Sequence, residues 1–342
     1  MSVAHQPLAV VRTGLVTSVG LSAPAACAAI RAGVTNPTET RFVDNDGERI
    51  MGHVVPLEQS WRGRARHVKM AAMALVECLA ELPRDEWGQL PLIVCVAESG
   101  RPGRLHGLDD ELLIELQQQL GARFAQESVI IANGRVSVAL ALERTRRLLY
   151  ERAVPRVAIV AVDGLLNWPT LGSYEDDDRI LTKRNSNGFI PGEAAGAVLV
   201  SRPTGRGLLC LGIGFGQEPA HIGSEQPLRA DGLTRAIRDA LTHAGREMHE
   251  IDFRIADISG EQYYFKEAAL AVARTLRRTK EEFDLWHPAE CIGETGAAAG
   301  AAVIAVADAA VRKAYALGSN ILVHMANDSG ERAALVLGVE GV

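Results

Sequence analysis

Three sets of side chains in this sequence could do chemistry. The first is five cysteines: Cys27, Cys78, Cys95, Cys210 and Cys291. A thiolate can accept an acyl group or hold zinc, given a lowered pKa or a paired spacing. No C-x-x-C pair is present and the count is odd, so neither a zinc site nor a disulfide framework is expected. The second set is nine histidines: His5, His53, His67, His106, His221, His243, His249, His287 and His324. None stands in an H-x-E frame. His287 precedes Pro288, and His324 lies inside a long apolar run where a core histidine is the ordinary reading. The third set is polar residues at the ends of apolar runs: Asn133, Asp257, Glu261, Glu294, Asn327 and Asp328. Such groups either line a ligand pocket or cap helices and satisfy turns, and capping is the commoner role. Glu294, in GETGAAAGAA (293–302), suits a helix N-terminus. Ser137 reads as an early-helix serine.

Other motifs carry less. GIGFG (212–216) lacks a full G-x-G-x-x-G and a helix starting promptly, so it predicts no nucleotide site. GETG has no lysine and is not a phosphate loop, and EDDDR (175–179) reads as an exposed loop. The net charge of −6 argues against a nucleic-acid binder. The pairs Arg146–Arg147 and Arg277–Arg278 read as solvated helix faces. Without a signal peptide or an apolar run of about 18 residues, a reduced cytoplasmic protein with no membrane span is expected. The nearest candidate, 296–311, is broken by Asp308 and reads as a helix buried inside protein.

The elements that must position these groups alternate. Apolar runs at 8–16, 90–98, 156–164, 196–201, 208–216, 252–259, 320–328 and 333–339 read as strands covered on both faces. Helices are expected at 22–32, 62–82, 109–123, 137–152, 231–245, 261–279 and 296–317. The segment 137–164 runs helix, turn, strand, acidic residue, glycine, and 299–330 repeats that order. PGEAAGAVLV (191–200) follows the first, and SGERAALVLG (329–338) follows the second. One half therefore reads as a diverged copy of the other, divided near SRPTGR: residues 1–202 and 203–342, forming one intimate unit. The alternation predicts an α/β protein, with two sheets and central helices between them.

Several segments together resemble the β-ketoacyl-acyl-carrier-protein synthase family of the thiolase-like superfamily. AVVRTGLVTSVGLSAPAACAAIRAG resembles its first strand and helix. NGFIPGEAAGAVLVSR (187–202) is similar to its GF-x-x-GE-x-AG-x-LVL segment. GLLCLGIGFGQEP and DGLTRAIRDALTHAG resemble the opening of its second half, and TGAAAGAAVIAVADAA its TGH-x-x-GAAG helix start. The likeness implies a five-layer αβαβα fold of two pseudo-symmetric halves. It also implies a dimer across a strand beside the nucleophile region.

In that family a cysteine takes the acyl chain, two histidines stabilise the oxyanion and enolate, and a lysine supports the second histidine. Here the resemblance places Asn133 at the nucleophile, Ser259 or Ile258 at the first histidine, Ala297 at the second, and Ile292 near the lysine. Asp328 stands about where a gating phenylalanine would be. The resemblance thus implies a catalytically empty frame that needs no cofactor. It would act as a binding, assembly or accessory subunit, as a homodimer or as a heterodimer with a related synthase. A secretion effector or adaptor of a type VI system is another partner class that resemblance suggests. The alternative is an acyltransferase of the 3-oxoacyl synthase kind with reduced or relocated chemistry.

Overall fold

The computed structural model describes residues 6–339. In chain order these form β1 (Leu8–Val16), α1 (Ala23–Arg31), β2 (Thr38–Val43), β3 (Arg49–Gly52), α2 (Gly63–Cys78), β4 (Leu92–Cys95), α3 (Glu111–Leu120), β5 (Val129–Ile131), α4 (Ser137–Glu151) and β6 (Arg156–Gly164). There follow α5 (Trp168–Asp176), β7 (Glu193–Ser201), β8 (Leu208–Gln217), α6 (Asp231–Ala244), β9 (Phe253–Ala256) and α7 (Gln262–Thr275). The chain closes with β10 (Leu285–Trp286), α8 (Ala289–Ile292), α9 (Ala299–Arg312), β11 (Asn320–Ala326) and β12 (Glu331–Val339).

The strand order repeats from one half to the other. One set runs β5-β4-β6-β7-β1 and the other β10-β9-β11-β12-β8. In each, the first three strands are parallel and the last two join antiparallel. The expected five-layer arrangement is present, and its two sheets are joined along one edge. β1 pairs with β8 at Leu8–Cys210 and Ala9–Leu209, so hydrogen bonding continues through one ten-stranded sheet. The β2–β3 hairpin stands apart from it. Sequence reading missed that hairpin, and it missed β5, β10 and α5.

Burial on both faces explains the apolar runs. On β6, Val157, Ile159 and Ala161 face the central layer, while Ala158, Val160 and Val162 face α2. On β11, Ile321, Val323 and Met325 face the central layer, while Leu322 packs toward α6. α4 and α9 therefore lie between the two strand sets, with α2 and α3 outside one and α6 and α7 outside the other. α9 is buried nearly all round, as its Ala-rich sequence requires, and no helix among the described residues is long and apolar enough to cross a membrane. The central position of α4 also corrects the reading of Arg146 as solvated. It is fully buried, and its Nε donates to the Gln6 carbonyl at 3.0 Å.

GIGFG is a packing device. A Cβ on Gly212, Gly214 or Gly216 would lie 2.0 Å from a backbone carbonyl oxygen of α6. Alternate glycines let the helix rest directly on β8. Gly214→Val is expected to cost about 3 kcal/mol or more by chemical denaturation. Gly205→Val, where a Cβ meets nothing within 4 Å, is expected to change little. Equal costs would show that the close approach is not what holds α6 in place.

Candidate functional site

Two matching constructions meet where the halves face each other. Asp163, near the end of β6, accepts the Ala297 N–H on Oδ2 at 2.9 Å. Asn327, just past β11, accepts the Arg135 N–H on Oδ1 at 2.9 Å. Each acceptor tethers a short 3-10 turn, Gly296–Ala298 or Gly134–Val136, that leads into α9 or α4. Gly134 and Gly296 share a φ of +55°, a conformation that glycine adopts without steric cost. Arg135 and Ala297 thus hold equivalent positions in the two halves, one carrying a guanidinium and the other a methyl group.

The Arg135 guanidinium is buried and enters a lattice of acceptors. Nη1 donates to Glu294 Oε2 at 3.1 Å, and Nη2 to the Tyr264 hydroxyl at 2.9 Å and to Asp328. Its Nε lies 3.9 Å from Asp257 Oδ2. Arg179 approaches from after α5. It donates to both oxygens of Glu261, at 2.7 and 2.8 Å, and to Asp328 Oδ2 at 2.8 Å. The Tyr174 hydroxyl donates to Asp328 Oδ2 at 3.1 Å. Asp328 therefore joins two arginines and two tyrosines. Burial would push its carboxyl up, but Arg135 and Arg179 outweigh that and hold it far below the usual carboxylate range. Asp257 goes the other way. Burial raises it to about 7, Arg135 opposes, and Glu294 adds to the rise.

The residues singled out from sequence behave differently from one another. Asp257, Glu261, Glu294, Asn327 and Asp328 come together, but around two arginines and not as an acidic surface. Glu294 also accepts the Gly296 N–H at 2.9 Å and the Ser259 hydroxyl at 2.8 Å. Asp257 accepts the Ala326 N–H at 3.0 Å. Asn133 is exposed and meets the cluster through its main chain, its carbonyl accepting from Asn327 Nδ2 at 2.8 Å. Ser137 Oγ accepts the Asn133 N–H at 3.0 Å. Ala297 is fully buried. Sequence reading missed Arg135, Arg179, Tyr174, Tyr264 and the buried Arg101–Asp163 pair. EDDDR, read as an exposed acidic loop, matters through its arginine, which turns inward.

Few groups here suit nucleophilic chemistry. All five cysteines are buried. Burial raises each thiol, Cys27 and Cys210 to about 12, with Asp308 and Glu77 adding to the rise at Cys27. Burial also keeps His53, His67 and His324 neutral, with His53 lowered to about 4 and His324 to about 3. His53 Nδ1 lies 3.2 Å from Ser18 Oγ, and both residues are buried. His5 lies outside the described residues. The space left between Arg135, Arg179, Tyr174, Glu294 and Asp328 is about 10 Å³. That holds one water at most, far below the several hundred Å³ of a ligand pocket.

No protein-family model matches the sequence, and no curated protein matches it. Solved structures do. One is a ketosynthase in complex with its chain length factor from Xenorhabdus doucetiae, with a TM-score of 0.78, 14% identity and 98% of each chain covered. The ishigamide ketosynthase/chain length factor gives 0.78 and 18%, covering 99% of this chain and 100% of its own. A ketosynthase domain for oxazolomycin from Streptomyces albus gives 0.80 and 13%, covering 98% of this chain and 75% of its own. At such identities the likeness shows the fold: thiolase-like, as ketosynthases and chain length factors have.

The Asp257 shift has a consequence for stability. The folded state holds this proton up to about pH 7, whereas the unfolded chain releases it near 3.8. Its contribution therefore falls as pH rises through that window, by at most roughly 4 kcal/mol. Asp257→Asn keeps an acceptor for Ala326 N–H and removes the titration. Relative to wild type, its stability in urea is expected to improve steadily from pH 4.5 to 7.5. Parallel pH profiles would show that Asp257 is ionised throughout.

Proposed function

We propose that this protein is a non-catalytic ketosynthase-like subunit that acts by binding a second thiolase-fold chain. The observation that carries this reading is the filled space at the two helix starts. On this reading the nucleophile's place moves two residues, from Asn133 to Arg135, the turn-for-turn counterpart of Ala297 at the second histidine's place. Neither is a nucleophile or a proton-transfer group at neutral pH. The lattice around Arg135 leaves no room for an acyl chain. The hydroxyls of Ser137 and Ser259 are engaged locally, with Val96 and Ile131 carbonyls and with Glu294. This argues against relocated acyltransferase chemistry.

The partner we favour is a related synthase or a second copy, joined at β5. This strand is an edge of the sheet, and Val129, Ile130 and Ile131 are only half-buried. An apolar, uncharged edge is what soluble proteins normally cover. Chain length factors, such as those in the similar complexes, offer the nearest analogy for a subunit that works beside a ketosynthase.

Two experiments test the reading. Intact-mass spectrometry after incubation with malonyl and long-chain acyl thioesters of coenzyme A and carrier protein is expected to show no adduct, decarboxylation or condensation. An acylated residue or a condensed product would overturn the non-catalytic assignment. Sedimentation at micromolar concentration is expected to show a dimer for the chain alone, which Ile130→Lys converts to monomer. A monomeric wild type would exclude pairing with its own copy.

A further inference from the structure

A partly open, mostly apolar cavity lies away from the ion-pair lattice. It is about 380 Å³, bounded by the end of α1, β10, α8 and α9. Its walls include Ile30, Leu285, Val306 and Pro288, and it shares none of them with the lattice residues. Two aromatic rings give it flat faces. Trp286 and Tyr315 are nearly parallel, 27° apart with centroids 6.2 Å distant, and Phe253 braces Trp286 from 4.5 Å. At its rim the exposed Arg31 guanidinium lies 4.1 Å above the Tyr315 ring. No carboxylate pairs with Arg31 among the described residues. The rim carboxylate, Glu290, is engaged by His287 Nδ1 at 3.2 Å.

We propose that this cavity binds a small aromatic carboxylate. The argument is one of size, shape and charge. Its volume lies at the small end for ligand pockets, which suits a body of about two fused rings and not a long acyl chain. Trp286 and Tyr315 already meet each other, Phe253 and Arg31, so a ligand ring meets them edge-to-face, a contact aromatic pairs favour as much as offset stacking. Arg31 already occupies the face of Tyr315, so a cationic ligand meets repulsion there. A carboxylate meets a planar donor fork that no carboxylate of the described residues pairs with, and that can take it through two hydrogen bonds.

The test uses the whole chain with naphthalene-2-carboxylate and its neutral isostere, naphthalene-2-methanol. Titration calorimetry is expected to show saturable binding of the carboxylate, about tenfold tighter than the alcohol. Arg31→Gln is expected to remove that tenfold preference and leave the alcohol unaffected. In the wild-type chain, methyl NMR signals of Ile30, Leu285 and Val306 are expected to shift on binding, which places the ligand without any variant. Ile30→Trp, which fills the cavity, is expected to abolish binding at an unchanged melting temperature. No saturable binding up to millimolar ligand would overturn the proposal. So would equal affinity for carboxylate and alcohol, or methyl shifts confined to residues elsewhere.

Discussion

A guanidinium buried at the meeting of two half-structures must be neutralised where it stands, because desolvating an unpaired charge costs several kcal/mol. Arg135 sets that condition here. It sits at the first turn before α4, in the first half, and its acceptors Tyr264, Glu294 and Asp328 all come from the second. Arg179 repeats the arrangement with Glu261 and Asp328. The loops after β9 and β11, the turn before α9 and the segment after α5 must therefore all converge on one place. Their backbone geometry follows from the need to deliver acceptors. Asp257 shows the limit of that supply: with Arg135 already paired closely elsewhere, it is better off holding its proton near neutrality.

Much of the fold was legible in the sequence because the long strands are covered on both faces. That makes each a continuous apolar run, and β1 and β6 matched their expected limits to the residue. What was missed was short or locally ambiguous. β10 has two residues and β5 three, too few for a period. α5 reads WPTLGSYED, poor in helix formers; its one clear signal was Asn167, whose side chain accepts the Thr170 N–H. The convergence of the polar residues was anticipated, but their chemistry was not. An arginine in a sequence reads as solvated surface, and nothing near Arg135, Arg146 or Arg179 announces partners that the fold brings from afar.

Crowding accounts for one helix start carrying so large a group and the other so small. Both turns are built alike, and both point into the same confined space. Arg101 already pairs with Asp163 beside Ala297. A long side chain at both starts would crowd a region that now has room for about one water. The frame itself is shared with solved ketosynthase structures, at TM-scores of 0.78 to 0.80 and 13–18% identity.

Main-chain hydrogen bonds join the two halves at one end of the sheet, through the start of β1 and the start of β8, and again beside the lattice, where Glu294 pairs with Ile190 and Gly192. The arginine lattice lies at the other end, past the ends of β6 and β11. The halves are thus arranged like the covers of a book, with a short spine and a clasp at the fore-edge. The clasp is made of main chain as well as side chains, and Glu294 belongs to both. Its backbone pairs with Ile190 and Gly192 while its carboxylate receives Arg135, so opening the leaves breaks a backbone bridge and an ion pair in one motion.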